Sequence, residues 1–475
     1  VDASALAGQQ VGGIDQDLTL AGDAEYFILN NTANQTLMLD IASIADDNTV
    51  TLGGTGDFDL SGTSADVDAS ALSGDVAVRT KVGTIDDIEV TAGTGITTVD
   101  AKDTGDTITL KAALLVDDED DTDNQSNTDD TEVVVLGQGS VVVDDLKADL
   151  DASIFTGELT INRGQITGGA IEDVDIIVGS KGALIDAGDE GSLTYVDASN
   201  MASAQTLTLR GDGSPFKVDR TASGAVIDAT GGVGGTPLTG VLDVITLDNA
   251  TGVDVLTGTL ATSVTSDGGS VSVDATELTQ QLTLTGSSAY TVTELETNLL
   301  ASATTGNVTV TTSAITGVDG STPKLTITTG TGNFTVNGDD SDNADVDKLD
   351  VVISADNLSD LNSDTDLILT GDAEYRITSN AAIGEVTIDA SALSASGSIE
   401  LTGSGDFRLI NTTRDVQAPN LTGTLTVETD AGTENDITVT AGSGSLGVDA
   451  TDAEDDITVS AANLTDDESD NEFSL

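Results

Sequence analysis

The strongest constraint on this chain is a passage it uses twice without a gap. Leu18-Thr-Leu-Ala-Gly-Asp-Ala-Glu-Tyr-Phe-Ile28 returns as Leu367-Ile-Leu-Thr-Gly-Asp-Ala-Glu-Tyr-Arg-Ile377. Val50-Thr-Leu-Gly-Gly-Thr-Gly-Asp-Phe-Asp-Leu60 returns as Ile399-Glu-Leu-Thr-Gly-Ser-Gly-Asp-Phe-Arg-Leu409. Leu18 falls on Leu367, an offset of 349 residues, and Asp100 on Asp449 and Asp121 on Asp470 keep the same offset. Internal repetition of this kind marks an array of one supersecondary unit. A single inserted residue would flip every later side chain to the other face of a strand, so constant spacing predicts equal geometry in both copies. Leu20/Leu369, Tyr26/Tyr375, Leu52/Leu401, Phe58/Phe407, Val90/Val439 and Ile108/Ile457 are therefore expected to be buried in both, and Asp57/Asp406 and Asp100/Asp449 to sit at matching turns. Three regions follow: a first cassette at 1–130, an intervening stretch of the same vocabulary with irregular spacing at 131–350, and a second cassette at 351–475.

The unit is a strand and a turn. Apolar residues alternate with Thr in Leu282-Thr-Leu-Thr, Val308-Thr-Val-Thr, Leu325-Thr-Ile-Thr and Ile437-Thr-Val-Thr, and Gly, Asp and Asn punctuate the runs. β-Branched side chains suit a pleated surface. Alternation fails near Glu294–Ala303 and Asp144–Ala152, where a helical turn or two is predicted. Short strands with frequent turns fit an all-β, right-handed parallel β-helix (a β-solenoid with irregular loops) or, alternatively, tandem β-sandwich domains. The solenoid is favoured because the chain has no Trp, 4 Tyr and 7 Phe to fill sandwich cores but abundant Val, Ile, Leu and Ala. Only 4 Pro interrupt it, as continuous hydrogen-bond ladders require. A second phrase, apolar-Asp-Ala-Ser, recurs at Val67–Leu72, Leu150–Ile154, Val196–Met201 and Ile388–Leu393. It reads as a strand-end turn in which Asp and Ser oxygens bond the backbone, or alternatively as a calcium ligand between coils.

Charge excludes whole classes of partner. The formal net charge is −68, a field that repels nucleic acid and anionic lipid and attracts divalent cations. No apolar run approaches the ~18–20 residues that span a bilayer, so membrane insertion is not expected. Cys and His are absent, which removes disulfides, thiolate metal sites and Ser/His or Cys/His catalysis. No phosphate-binding Gly-x-x-x-x-Gly-Lys-Ser loop occurs. Carboxylates are so frequent that no particular pair signals glycosidase chemistry. The chain is expected not to be an enzyme.

Three acidic runs concentrate the charge: 117–132, 339–345 and 466–472. Each contains an acidic residue, a spacer and Asp-Asn: Asp121/Asp123/Asn124, Asp340/Asp342/Asn343 and Glu468/Asp470/Asn471. Calcium takes six to eight oxygens, which alternate carboxylates in a bent loop supply. The candidate ligands are Asp117, Asp118, Asp121, Asp123, Asp129 and Glu132 in the first run, Asp339, Asp340, Asp342 and Asp345 in the second, and Asp466, Asp467 and Asp470 in the third. Ser126 stands where an EF-hand needs glycine, so this is not that motif. A solvated acidic loop is the alternative.

The Asp-Ala-Ser-Ala-Leu phrases, the Leu-Thr-Leu-Thr-Gly strands and the absence of Cys resemble bacterial surface-layer proteins of the calcium-dependent, type I-secreted kind, and related β-solenoid adhesins. The resemblance implies an extracellular, cell-surface location, export without an N-terminal signal, calcium-driven self-assembly and attachment to a surface polysaccharide. The sequence departs from that family in two respects: in Gly53-Gly-Thr-Gly-Asp-Phe-Asp-Leu60 the aspartates sit one place off the Gly-rich calcium nonapeptide, and no attachment domain is visible. The expected function is a structural protein that self-assembles into a surface layer or filament stabilised by calcium, with itself as partner. The alternatives are a cell-surface adhesin stalk and a polysaccharide-acting β-helix enzyme.

Overall fold

A computed structural model of the chain describes residues 3–4, 18–116, 131–164, 173–188, 191–313, 325–339, 350–358, 364–432, 434–451 and 454–460. These residues form strands joined by turns, with no helix among them. They fall into two units, Val1–Leu260 and Ala261–Leu475. Each unit is a β-solenoid of two parallel sheets.

In the first unit, Leu18–Gly22, Thr36–Ile44, Asp57–Thr63, Val76–Thr80, Thr97–Ala101 and Val133–Gly137 pair in order in one sheet. The strands between them, from Tyr26–Asn30 to Ser140–Leu146, pair in order in the other. Successive strands thus alternate sheets, and each pairs with the strand one coil away. The register stacks like on like: Ile88, Ile108, Val141 and Leu159 form one column and Val90, Leu110, Val143 and Ile161 the next. All are buried. In the second unit the columns are Val271, Tyr290, Val308, Phe334, Leu367 and Ile388, and Leu282, Leu299, Ile327, Ile353, Ile377 and Leu401. Each such side chain contributes ~1.5–3 kcal/mol by leaving water.

Corners have their own grammar. In Ala112, Ala152, Ala198, Ala275, Ala355 and Ala418 a buried alanine carbonyl accepts the N–H three residues on, from Leu115, Phe155, Met201, Leu278, Leu358 and Leu421. Alanine fits because the column turns sharply there, and the larger residue closes the corner. Asp151, Asp197 and Asp274, each just before a corner alanine, cap the turn by accepting on Oδ1 the N–H two residues on at 2.7–3.0 Å, and Asp68 and Asp389 make the same bond inside their strands at 2.9–3.0 Å. The side-chain-to-backbone bond read from Asp-Ala-Ser is observed, at a strand end in Leu150–Ile154 and Val196–Met201 but inside the strands Asp66–Leu72 and Glu385–Leu393.

The two predicted helical turns are absent. Asp145 and Glu294 adopt left-handed φ values of 58° and 54°, and strand register shifts across each. One extra residue in a bulge breaks the two-residue alternation and mimics a helical period over a short window. Gly62, Arg220 and Asn411 make the same bulge.

The repeat expectations hold in part. Leu20/Leu369, Leu52/Leu401, Phe58/Phe407 and Val90/Val439 are buried in both copies. Tyr375 and Ile108 are buried, whereas Tyr26 and Ile457 are half-buried. Asp57 and Asp406 both open a strand after a turn, but Asp100 lies within Thr97–Ala101 and is buried, while Asp449 ends its strand exposed.

Candidate functional surface

Most of the candidate calcium ligands, Asp117, Asp118, Asp121, Asp123, Asp129, Asp340, Asp342, Asp345, Asp466, Asp467 and Asp470, lie outside the described residues. Glu132 and Asp339 are described. Glu132 accepts the N–H of Asp149 at 3.0 Å through Oε2, and Asp339 is exposed and donates its N–H to Thr312 Oγ1 at 3.0 Å. Among the described residues no group of three acidic side chains is placed to hold a metal ion.

The described carboxylates instead staple coil to coil. Asp57 Oδ1 accepts the N–H of Asp75 at 3.0 Å, and Asp75 Oδ1 accepts that of Ile96 at 2.9 Å. Asp66 takes Glu89, Asp149 takes Asp175, Asp350 takes Glu374, Asp366 takes Thr387, Asp406 takes Thr424 and Asp415 takes Thr438, at 2.6–3.1 Å. Each acceptor lies one coil from its donor and satisfies a backbone N–H where the ladder begins. A charged acceptor makes a stronger bond than a neutral one. Part of the acidity is thus internal architecture, which no local sequence signal announces because donor and acceptor are some 18–26 residues apart.

One buried group recurs with the repeat. Asp106 accepts Thr80 Oγ1 at 2.5 Å, the N–H of Asp86 at 3.1 Å and that of Asp103 at 2.7 Å. In the second copy Asp455 accepts Thr429 Oγ1 at 2.6 Å and the N–H of Asn435 at 3.0 Å. Thr80 and Thr429 in turn accept the N–H groups of Lys102 and Thr451, both at 2.8 Å. Every polar atom of these sets has work within the fold.

A mixed-charge patch lies in the first unit. Lys217 lies 5.0 Å from the centre of the Tyr195 ring, Tyr195 donates to Asp219 at 2.5 Å, and Arg220 pairs with the buried Asp197 at 2.8 Å. Burial, and then the hydrogen bond and charge of Asp219, push the Tyr195 hydroxyl above its ordinary pKa. These contacts close on one another and leave no group poised over a cleft.

A different surface distinguishes the second unit. In one sheet the strands Thr262–Thr265, Leu282–Gly286, Leu299–Thr304, Leu325–Thr328 and Val351–Ser354 are neighbours. Their outward positions are Ser263, Thr265, Thr283, Thr285, Leu300, Ser302, Thr326, Thr328, Val352 and Ser354, none of them charged. In the opposite sheet Ser272, Thr291, Thr309 and Thr335 form another column, continued by the exposed Ile368. The first unit projects Asp59, Arg79, Asp151, Asp175, Lys217, Asp219 and Asp243 from the corresponding rows of one sheet, and Asp68, Glu89, Lys111, Asp144, Glu158 and Asp186 from the other. The Thr-x-Thr alternation was legible as strand; that its polar phase is uncharged over five adjacent coils appears only once register is known.

Comparison with protein families, curated proteins and solved structures gave no match to this chain.

Proposed function

We propose that this is a structural protein of the cell surface that assembles with copies of itself into a layer or filament, with calcium bound by its acidic runs. The observation that carries the reading is the architecture of the two units: the described strands stack into long, repetitive sheet faces, and the described carboxylates and hydroxyls are engaged mainly within the fold. Extended faces of repeated geometry suit lattice contacts, and the high charge keeps subunits apart until a cation screens it. The resemblance to calcium-dependent surface-layer proteins supports the same reading. Calcium is assigned to the runs at 117–132, 339–345 and 466–472 on their sequence alone.

The test is assembly itself. Purified protein in millimolar calcium is expected to give sheets or filaments by electron microscopy and large species by light scattering, and EGTA in low salt is expected to disperse them. Isolated particles at every calcium concentration tested would overturn the reading.

A further inference from the structure

We propose that the uncharged face of the second unit, formed by Ser263, Thr265, Thr283, Thr285, Leu300, Thr326, Thr328, Val352 and Ser354, is where one copy of the chain meets the same face of another. The inference rests on the reading of the protein as self-assembling and names the surface that does it.

Two observations carry it. A second copy brings the same net charge of −68, and like charges oppose approach wherever carboxylates project. Across the five neighbouring strands from Thr262–Thr265 to Val351–Ser354 none project. The second is desolvation. Placing this face against an acidic one would strip water from unpaired carboxylates, which is costly. Placing it against itself buries Thr methyls, Leu300 and Val352 while hydroxyls find hydroxyls. One pair is already ordered for it: Thr265 and Thr285 share a hydrogen bond at 2.7 Å between their Oγ1 atoms, which lowers the entropy that these two side chains lose on contact.

The size of the face fits a lattice contact better than a dimer. Five strands at ~4.8 Å spacing, with outward residues ~6.6 Å apart along each, cover a few hundred Å² per copy. A stable pairwise interface needs about 800 Å² per partner. A contact this small is weak alone and becomes effective when other contacts hold the copies in place.

The experiment uses the full chain and three variants. Thr283→Asp/Thr328→Asp places carboxylates on the face with Leu300 between them, and outward aspartates such as Asp151 and Asp175 show that such strands tolerate them. Thr283→Lys/Thr328→Lys places ammonium groups at the same positions. Thr109→Asp/Thr160→Asp adds equal charge to the first unit, at outward positions of Thr107–Lys111 and Glu158–Arg163. Circular dichroism confirms that each variant keeps its β structure, and association is followed by sedimentation velocity in millimolar calcium and 0.15 M salt (about an 8 Å Debye length). The Asp and the Lys face variants are each expected to weaken association at least tenfold. Their equimolar mixture is expected to restore it, because unlike charges then meet, and the first-unit variant is expected to associate as the parent does. Parent-like association of both face variants, or equal weakening by the first-unit variant, overturns this inference and leaves the self-assembly reading standing. A mixture no better than its components shows that the face does not meet itself and also overturns it. A parent chain that stays monomeric throughout overturns both.

Discussion

The same coil occurs twice in this protein with different surroundings. In the first cassette, Thr97–Ala101 and Thr107–Lys111 are covered by Val133–Gly137 and Ser140–Leu146, and Val99, Ile108 and Leu110 are buried. Their counterparts at the 349-residue offset, Val448, Ile457 and Val459, lie in Leu446–Asp449 and Asp456–Ser460. There each strand pairs on one side only among the described residues, and all three side chains are half-buried. The opposite end mirrors this. Tyr375 is buried, donates its hydroxyl to Thr370 O at 2.7 Å and accepts the N–H of Gly338 at 2.7 Å. Tyr26 keeps the first of these bonds, to Ala21 O at 2.7 Å, and is half-buried. Equivalent residues of the two copies thus differ in burial because burial in a solenoid is conferred by the next coil. A repeat in sequence specifies the strand and the turn; the stack specifies the core.

That comparison breaks most sharply at the columns. Ile108→Ala leaves a cavity between two covering coils and is expected to cost about 2–5 kcal/mol, the usual range for such truncations in a packed core. Ile457→Ala removes the same atoms from a half-covered site and is expected to cost about 1 kcal/mol or less, since solvent fills part of the space. Urea unfolding of the two variants, with each unit followed by local hydrogen exchange, gives the two values. Equal costs would mean that Ile457 has a cover in solution that its half-burial does not reveal.

The next largest difference is expected at the buried carboxylates. Asp106 is 1% exposed and Asp455 is half-buried. Asp106→Ala strands the Thr80 hydroxyl and the N–H groups of Asp86 and Asp103 away from water, at about 1–3 kcal/mol for each donor that finds no substitute. Asp455→Ala exposes its donors to solvent and is expected to cost less than half as much. Asp106→Asn keeps an acceptor and is expected to recover part of the loss. If the Asn variant is as damaged as the Ala variant, the negative charge rather than the acceptor is what holds the turn.

How much of this was legible in the sequence follows from range. Alternation and turn residues act within a strand, so the all-β parallel stack and the Asp-Ala-Ser bond could be read directly. The bulges at Asp145 and Glu294 could not, because a single left-handed residue and a helical turn disturb a period of two in the same way. Nor could the staples: the aspartates of Asp57, Asp66 and Asp415 look like loop charges until the register places the next coil's N–H beside them. The uncharged face had a faint signal in the runs Thr283-Leu-Thr285 and Thr326-Ile-Thr328, but Leu300 and Val352 join it only through pairing.

A smaller effect separates Asp75 from its counterpart Thr424. Desolvation raises the pKa of Asp75 above its ordinary value of 3.8; the bond from Ile96 N–H lowers it and the charge of Asp57 raises it. Glu385 is raised too, chiefly by desolvation, from 4.5. A carboxyl whose folded pKa is raised binds its proton more tightly when folded, so its contribution to stability grows as pH falls through that raised value and is lost as pH rises through it. The melting temperature is therefore expected to rise modestly as pH is lowered from 7 into the carboxyl range, in the same direction as the relief of overall repulsion. Asp75→Thr, which copies the second cassette, is expected to flatten that rise slightly, at the cost of the bond that Asp75 accepts from Ile96 N–H. A fall in melting temperature on mild acidification would mean that the staples lose more on protonation than desolvation returns.

The smallest expected effect is a null one, and it tests whether the two copies are interchangeable. At one outward position the first cassette pairs Asp59 with Arg79 and the second pairs Arg408 with Glu428, at 2.7 Å. At the 349-residue offset Asp59 falls on Arg408 and Arg79 on Glu428, so the charges are exchanged while the geometry is kept. Both pairs are only partly buried, and such pairs contribute about 0.2–1 kcal/mol. Asp59→Arg alone leaves two guanidinium groups on adjacent coils, and Arg79→Glu alone leaves two carboxylates; each is expected to lose the pair and add repulsion, about 1 kcal/mol in total. Made together, they write the second cassette's arrangement into the first, and stability is expected to return to within a few tenths of a kcal/mol of the parent. The double-mutant cycle isolates this coupling from the change in net charge that each single variant carries. A double variant as unstable as either single would mean that neighbouring charges such as Asp100, and not the partner across the ladder, decide the sign at this position.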